Sequence, residues 1–312
     1  MTYGWGVLGT GNIARSMAEA FSLVPVARCA AVASRSAEKA RAFADHWGFY
    51  RAYGDYDALL ADSAVDIVYI ATPNARHKAD ILAALAAGKH VLCEKPMTLS
   101  EEDSAVCFDA AERNGLILME ALWTAYFPAM QKAVELVRDG AIGAPIHLSA
   151  NFVSYRDPAS HPILFDPALG GGARNDLGIY PVAAALMLAG PVVDSTVRLL
   201  QGETGVDEMT SMILEHDNGA VSQLTCGFRA EMPIAVALTG TEGTLQIART
   251  FHCPQNVTLT RNGATSSHTL PSLGRGYAHE TIAMHDQISG GGRAGLLWGK
   301  DQTLAAAHIL AG

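Results

Sequence analysis

Long apolar runs, paired cysteines and an excess of positive charge are all missing from this sequence. No run approaches the ~18 apolar residues that a membrane-spanning helix requires. The five cysteines are odd in number and include no Cys-x-x-Cys pair, which argues against a disulfide framework and a zinc site. A net charge of −9 disfavours nucleic acid as a partner, and the eleven histidines show no metal-ligand spacing. We therefore expect a cytoplasmic protein without a metal site that binds neither membranes nor nucleic acids.

The sequence does contain a short apolar run, Tyr3 to Leu8, that leads into Gly9-Thr10-Gly11-Asn12-Ile13-Ala14. A helical pattern begins directly afterwards, so the order is strand, glycine turn and helix. Gly9 allows a tight turn, Gly11 lets a pyrophosphate approach the backbone, and Ala14 lets the helix pack closely on the strand. Because the first N–H groups of a helix attract phosphate, this segment predicts dinucleotide binding.

The end of the next predicted strand, Cys29 to Ala33, indicates which dinucleotide is bound. A carboxylate at this position would bind the ribose 2′-hydroxyl of NAD, but the chain continues with Ser34-Arg35-Ser36. Ser34 and Arg35 offer a hydroxyl and a guanidinium that suit a 2′-phosphate, and Lys39 adds positive charge. We predict NADP as the cofactor, with NAD as the alternative.

Two further predicted strands also end in polar residues. Val65 to Ala71 leads into Thr72-Pro73-Asn74 and a helix over residues 75–87, in whose first turn His77 is either functional or structural. Val91 to Cys93 leads into Glu94-Lys95-Pro96. A lysine fixed at a strand end can donate a proton or a hydrogen bond, although a solvated turn is the simpler interpretation of this tripeptide.

In the second half, Asp176 and Tyr180 are four residues apart, just before the apolar segment Val182 to Leu188. If they lie on a helix, they share one face, and Pro181 fits its first turn. Asp176 is then either the N-cap of the helix or part of an active site.

Short alternating segments follow, and Asp217-Asn218-Gly219 between two of them predicts a hairpin. They predict a broad antiparallel sheet with strands at residues 146–155, 209–216, 220–229, 234–240 and 244–248. Such a sheet needs a cover, so we expect a homodimer or a higher homo-oligomer. The last stretch, residues 278–311, is predicted to be helical with an interruption at Gly290 to Gly292.

The motifs Gly9-x-Gly11-x-x-Ala14, Ile70-Ala71-Thr72-Pro73-Asn74-x-x-His77 and Glu94-Lys95-Pro96, in this order, resemble the Gfo/Idh/MocA oxidoreductases. The segment Glu120-Ala121-x-Trp123-Thr124 and the tyrosine at 180 resemble the branch of dihydrodiol dehydrogenase and NADP-dependent xylose dehydrogenase, which usually has an arginine at the place of Ala125. The resemblance implies an α/β protein. A Rossmann domain with a parallel sheet (residues 1–121) would precede an α+β substrate-binding and oligomerisation domain with a large, mostly antiparallel sheet (residues 122–312). It also implies that the last helix packs back on the first domain.

We predict an NADP-dependent oxidoreductase that transfers a hydride between nicotinamide and a hydroxyl or carbonyl carbon of a sugar, polyol or cyclic diol. The alternatives are a non-catalytic NAD(P)-sensing regulatory protein and a reductase of an oxidised sugar such as an anhydroketose. The predicted catalytic residues are Lys95, Tyr180 and Asp176, with either Lys95 or Tyr180 as the proton donor. The predicted cofactor-binding residues are Gly9, Thr10, Gly11, Asn12, Ile13, Ser34, Arg35, Lys39, Thr72, Pro73, Asn74, His77, Glu94 and Lys95. The predicted substrate contacts are Trp123, Phe152 and Asn175, with Arg156 and Phe251 as further candidates.

Overall fold

The computed structural model describes residues 1–290 and 296–312, which divide by their contacts into two compact units. The first unit comprises Met1–Thr98, Glu102–Leu122 and Leu273–Lys300. The second unit comprises Leu99–Glu101, Trp123–Ser272 and Asp301–Gly312. The domain division at residues 121 and 122 stays a prediction. Of the predicted interruption at residues 290–292, Gly291 and Gly292 lie outside the described residues.

The first unit is built on a parallel sheet of six strands, which confirms the predicted Rossmann architecture. The strands are β1 (Tyr3–Leu8), β2 (Ala27–Ala33), β3 (Arg51–Tyr53), β4 (Ile67–Ile70), β5 (His90–Glu94) and β6 (Leu118–Ala121). Their order across the sheet is β3-β2-β1-β4-β5-β6. Because β1, β4 and most of β5 are buried, their near-continuous apolar sequences are those of central parallel strands.

The observed strand bounds differ from the predicted ones where the sequence signal is weak. Strand β2 begins two residues earlier than predicted, and β4 is shorter than the predicted strand at residues 65–71. Strand β3 was not predicted, because it has only 3 residues and lies partly exposed at the edge of the sheet. These differences leave the predicted turns at the same edge.

The second unit contains a sheet of eight strands, in the order β14-β13-β12-β11-β7-β10-β9-β8. The strands are β7 (Pro145–Val153), β8 (Val192–Gln201), β9 (Asp207–His216), β10 (Val221–Gly227), β11 (Ala235–Gly240), β12 (Gly243–Ile247), β13 (Asn256–Arg261) and β14 (Ala264–Thr269). All neighbours pair antiparallel except β7 and β10. The predicted hairpin turn at 217–219 joins β9 to β10, and Gly219 has a positive φ of 82° there. The mostly antiparallel sheet is therefore confirmed.

Helices cover the first sheet and one face of the second. They are α1 (Asn12–Phe21), α2 (Ala37–Trp47), α3 (Tyr56–Leu60), α4 (His77–Ala86), α5 (Glu101–Asn114), α6 (Pro128–Arg138), α7 (Ile179–Leu188), α8 (Tyr277–Ser289) and α9 (Lys300–Ala311). In the second unit, α7 contacts β7, β10 and β11. None of the helices in residues 1–290 and 296–312 has the length and apolar character needed to span a membrane.

The late helix that packs in the first unit is α8, which contacts α1. The last helix, α9, is grouped with the second unit from Asp301 onward, and its packing on the first domain stays a prediction. In the contact between α8 and α1, the buried hydroxyl of Thr281, on α8, donates to Sδ of Met17, on α1, at 3.4 Å.

A buried hydrogen bond also joins α8 to β1. The indole N–H of Trp5 donates to Nε2 of His285 at 3.0 Å. Nε2 must be unprotonated to accept this bond, so the neutral ring carries its proton on Nδ1. A second proton, on Nε2, would point at the N–H of Trp5 and would abolish this hydrogen bond. Burial also lowers the pKa of His285 from 6.5. The fold therefore requires a neutral His285.

We expect His285 to make folding sensitive to acid. Because its pKa is lower in the folded protein, its contribution to stability is complete above about pH 6.5 and is lost as the pH falls through the folded-state pKa. Urea unfolding at several pH values should give a shallower loss of unfolding free energy on acidification in His285→Gln, whose amide oxygen accepts from Trp5 without titrating. The exposed His46→Gln is the control. Equal slopes in wild type and His285→Gln would contradict this prediction.

Candidate active site

The turn between β1 and α1 has the shape that a pyrophosphate requires. Gly9 has φ of +107°, and a Cβ atom there would lie 2.6 Å from the carbonyl oxygen of Ala71. A Cβ atom on Gly11 would meet nothing within 4 Å, so open space faces this glycine. No side chain of the described residues caps the N-terminus of α1, whose first N–H groups stay available. The predicted residues Gly9, Thr10, Gly11, Asn12 and Ile13 therefore fit a dinucleotide phosphate.

The turn after β2 contains the buried hydroxyl of Ser34, which is followed by two exposed, positively charged side chains. Ser34 is buried, and its Oγ accepts the N–H of Ser36 at 3.3 Å. Ser36 in turn caps α2 by accepting the N–H of Lys39. Arg35 and Lys39 are exposed, so both side chains are available to an anion. Ser34 contributes mainly to the shape of the turn.

A second arginine, which the sequence analysis missed, lies close to Arg35. The guanidinium of Arg76 stacks on Tyr56 at 5.5 Å from the ring centroid and pairs with Asp80 at 2.7 Å. Burial raises the pKa of Tyr56, whereas the charges of Arg76 and Arg35 oppose that rise, so both arginines lie near this ring. Arg76 carried no sequence signal because its partner Tyr56 is distant in the chain.

The turn after β4 is fixed through its side chains. The hydroxyl of Thr72 donates to Asp80 at 2.7 Å, and both residues are buried. Pro73 and Asn74 are half-buried and precede α4 through a short 3₁₀ turn. Of the three, Pro73 and Asn74 thus retain surface for a cofactor.

His77 joins the turn after β4 to the turn after β5. It is fully buried, with Nδ1 2.9 Å from the carbonyl oxygen of Pro96 and Nε2 2.9 Å from that of Thr72. Burial lowers the pKa of His77, whereas its two carbonyl partners favour the charged ring. Since the ring has no exposed surface, its effect on a cofactor is exerted through the positions of Thr72 and Pro96.

Strand β5 delivers Glu94 and Lys95 to the same edge of the sheet. Glu94 is buried, and its carboxylate accepts the hydroxyl of Tyr69 and, at 3.2 Å, the backbone N–H of Lys95. Burial raises the pKa of Glu94 to about 7, against the effect of these bonds and of the charge of Lys95. Lys95 itself is half-buried. In the predicted turn, the backbone N–H of Lys95 is therefore held by the buried carboxyl group of Glu94.

In the second unit, Asp176 and Tyr180 do not share a regular α-helix. Asp176 lies in a π-helical turn, Arg174–Gly178, and Tyr180 lies in the first turn of α7. The N-cap of α7 is Gly178, so the capping role considered for Asp176 is not observed. Single π-turns recur at functional sites, where they shift the side chains that follow.

The loop before this turn is fixed by buried polar groups. Asp207 accepts the N–H of Arg174 at 2.9 Å and the hydroxyl of Thr210 at 2.7 Å. Asn175 donates from Nδ2 to the carbonyl oxygens of Gly170 and Gly171, each at 3.2 Å. The side-chain N–H groups of Asn175, which is predicted to contact substrate, thus bind the backbone of the loop.

Tyr180 is surrounded by aromatic rings of the second unit. Its ring centroid lies 5.4 Å from that of Phe152 and 5.4 Å from that of His252. His252 stacks on Phe152 at 4.5 Å and lies 6.1 Å from Trp123. The sequence analysis missed His252, which gave no signal among the scattered histidines. We call Trp123, Phe152, Tyr180 and His252 the aromatic cluster.

The two other candidates contribute less to this cluster. Phe251 is fully buried and packs edge-on against Phe152 at 6.4 Å, as a core residue does. Arg156 bonds to its neighbours in the chain, donating to Ser154 Oγ at 2.8 Å.

Family descriptions match both units of the chain. The description "Oxidoreductase family, NAD-binding Rossmann fold", of the GFO/IDH/MocA group, matches residues 3–122. The description "GFO/IDH/MocA C-terminal domain" matches residues 130–246.

Known relatives extend this similarity over most of the chain. D-xylose 1-dehydrogenase (NADP(+)) 2 of Haloferax volcanii is 37% identical over 255 residues, which cover 80% of this chain and 76% of the relative. Trans-1,2-dihydrobenzene-1,2-diol dehydrogenase of Sus scrofa is 33% identical over 276 residues, or 87% and 81% of the two chains. The crystal structure of KijD10, a 3-ketoreductase from Actinomadura kijaniata, in complex with NADP and TDP-benzene, is 27% identical with a TM-score of 0.88. That match covers 99% of this chain and 96% of the other.

We expect His77 to support cofactor affinity without touching the cofactor. A neutral imidazole has one N–H, so His77→Ala removes the donor of one of the two carbonyl oxygens of Pro96 and Thr72, and a buried acceptor left unsatisfied costs about 1–3 kcal/mol. The variant should unfold at lower urea concentration and bind NADPH more weakly in a fluorescence titration. The exposed His46→Ala is the control for loss of a histidine. Wild-type stability together with weaker binding would instead indicate a direct contact.

Proposed function

The chain belongs to the GFO/IDH/MocA family of oxidoreductases, and we propose that it transfers a hydride between NADP and a hydroxyl or carbonyl carbon of a sugar, polyol or cyclic diol. The observation that carries this proposal is the arrangement of two turns at one edge of the first sheet. There the open glycine turn after β1 and Lys95 after β5 follow strands that are both hydrogen-bonded to β4. The named activities of the xylose dehydrogenase, the diol dehydrogenase and the 3-ketoreductase support the substrate class.

The chain's own residues hold the cofactor at this edge. The backbone N–H groups at the start of α1 bind the pyrophosphate, and Arg35 binds the 2′-phosphate, with Lys39 and Arg76 adding charge nearby. The turns at Thr72–Asn74 and Glu94–Pro96 border the nicotinamide. When bound, NADP(H) supplies the hydride acceptor or donor.

Lys95 and Tyr180 carry the proton chemistry. The Lys95 backbone is fixed by Glu94, which limits the motion of a side chain that donates to the substrate oxygen. Tyr180 accepts or donates the hydroxyl proton. To act as a base near neutral pH its phenol needs a nearby positive charge, because such a charge favours the phenolate. The reverse assignment, with Lys95 as the main donor and Tyr180 as the orienting group, uses the same residues. Asp176 orients the Tyr180 end of the site.

The aromatic cluster supports a substrate with one apolar face. Sugars and cyclic diols expose C–H groups on one side of the ring, and aromatic side chains bury such surface. Phe152 is 5% exposed and His252 is half-exposed, so the histidine presents more of its ring. His252 is therefore added to Trp123 and Phe152 as a substrate contact.

The proposed acid–base roles predict losses in turnover rather than in cofactor affinity. Lys95→Met and Tyr180→Phe should each lower kcat by about 10²- to 10⁴-fold in NADP⁺ reduction assays with xylose, inositols and cyclic diols. The double variant should lose less than the product of the single losses, because both groups act on one proton. Tyr155→Phe and Lys78→Met, at surface positions, are the controls.

Two outcomes would contradict these roles. Near-wild-type turnover in Tyr180→Phe would make the tyrosine a packing residue. Collapse of NADP affinity in Lys95→Met would make the lysine structural. NADP binding without turnover on any substrate tested in the wild type would favour the nucleotide-sensing alternative.

Arg35 should set the preference for NADP over NAD. A charge-assisted hydrogen bond contributes about 1.5–3 kcal/mol, so Arg35→Ala should lose roughly that much of the difference in binding free energy. Fluorescence titration of the wild type and the variant with NADPH and NADH measures it. Arg41→Ala, an exposed arginine on α2, is the control. Equal affinities of the wild-type protein for the two cofactors would refute the assignment.

The second sheet supports a homodimer. Its open face, defined by Ser149, Ile213 and Gln223, is the face opposite to α7, and Ile213 is 47% exposed there. A second copy of the chain would cover this face.

Light scattering at micromolar concentration tests the dimer. We expect twice 32.9 kDa for the wild type and a shift toward monomer in Ile213→Asp, because burying an unpaired carboxylate is unfavourable. Tyr50→Asp, an exposed aromatic of the first unit, is the control. A wild-type mass of 32.9 kDa would refute the proposal.

We also propose a cytoplasmic location. All five cysteines are free thiols, and three of them are buried: Cys93, Cys107 and Cys226. Free thiols are typical of proteins that fold in a reducing compartment.

A further inference from the structure

A carboxyl group that the proposed chemistry does not use lies buried in the first unit. Glu280, on α8, has no solvent exposure. Neither of its carboxyl oxygens has a hydrogen-bond partner in the part of the chain that the structure describes. A buried carboxylate without a partner is strongly unfavourable, so such a group keeps its proton instead.

The charge that acts on Glu280 is that of the Glu94 carboxyl group. Burial, and then the charge of Glu94, raise the pKa of Glu280 well above its usual range. Tyr69 lies near both groups, since burial and then the charges of Glu94 and Glu280 raise the pKa of its hydroxyl. The two buried carboxyls, on β5 and α8 of the first unit, are therefore electrostatically coupled, and we call them the pair.

Glu94 and Glu280 differ in the hydrogen bonds that they accept. Glu94 accepts the Tyr69 hydroxyl on Oε1 and the Lys95 backbone N–H on Oε2. Both bonds favour the ionised carboxylate of Glu94, whereas Glu280 receives no donor. Because two like charges cannot both persist in one buried site, a single remaining proton belongs to Glu280.

The other groups around the pair agree with this division. The charge of Lys95 favours ionised Glu94, whereas the charge of Glu120 opposes it. Glu120 has its own donors, the N–H of Met97 and the indole N–H of Trp298, both at 2.7 Å. Tyr277, on α8, acts on Tyr69 more weakly than the charge of either glutamate does.

We propose that Glu280 is a positioning residue that stays protonated above neutral pH, where the pair then carries one negative charge and carries it on Glu94. The Glu94 carboxylate can then accept both of its donors and fix the Lys95 backbone. The inference deepens the proposed function and rests on it for the role of Lys95, but the protonation state itself does not depend on any activity.

Infrared difference spectroscopy of the ligand-free protein tests this protonation state. At about pH 8.5, above the range in which Glu94 titrates, we expect the carbonyl-stretching band of a protonated carboxylic acid in the wild type. The band should be lost in Glu280→Gln, whose amide imitates the neutral acid. It should remain in Asp286→Asn, which removes an exposed carboxylate from the same helix. In Glu94→Gln, which removes the neighbouring charge, the band should disappear at a lower pH than in the wild type.

Superimposable spectra of wild type and Glu280→Gln would overturn the proposal, because Glu280 would then be ionised. An unchanged titration of the band in Glu94→Gln would overturn the pairing. If Glu280→Gln does not fold by circular dichroism, carboxyl-¹³C glutamate labelling of the wild type decides the question. One glutamate carbon should then keep the chemical shift of the protonated acid at that pH, and fully ionised glutamates would overturn the proposal. No substrate or cofactor is involved, so these results are independent of whether the hydride-transfer proposal holds.

Discussion

The parallel pairing of β1 with β2 and β4, and of β4 with β5, is the constraint on which the rest of the site depends. Parallel strands point the same way, so the turns that follow them lie at one edge of the sheet. The apolar sequences of these strands keep the sheet buried, and burial fixes their register. Polar residues can therefore be placed in the turns without disturbing the core. The glycine turn, the Ser34–Ser36 segment, the Thr72–Asn74 segment and the Glu94–Pro96 segment all depend on this arrangement.

Buried polar side chains then fix these turns relative to one another. His77 joins the backbone at Thr72 to the backbone at Pro96, and Glu94 holds the N–H of Lys95. Each bond satisfies a group whose burial would otherwise destabilise the fold. The second unit uses the same principle, since Asp207 and Asn175 fix the loop that leads to the π-helical turn. Both candidate proton-transfer residues thus project from segments that are held in place by their own units.

The sequence was sufficient for features that rest on local pattern. The apolar run at Tyr3–Leu8 followed by a glycine turn predicted strand, turn and helix, and the alternation around residues 217–219 predicted the hairpin. Strands β8 and β14 were missed because they are largely exposed, and β13 was missed because only Val257 and Leu259 supply its apolar alternation. The roles of His77 and Glu280 depend on backbone carbonyls and on a carboxyl far away in the chain, and no spacing rule encodes them. His252 was missed for the same reason, because its ring neighbours Phe152 and Tyr180 are distant in the chain.

The claim that the first unit binds NADP at this edge of its sheet is tested most directly by amide hydrogen exchange with and without saturating NADP⁺. The account predicts slower exchange in residues 9–13, 34–39, 72–77 and 94–97 when the cofactor is bound. Strands β13 and β14 of the second unit should exchange at unchanged rates. Protection that is missing from these four segments, or that lies mainly in the second sheet, would contradict the account.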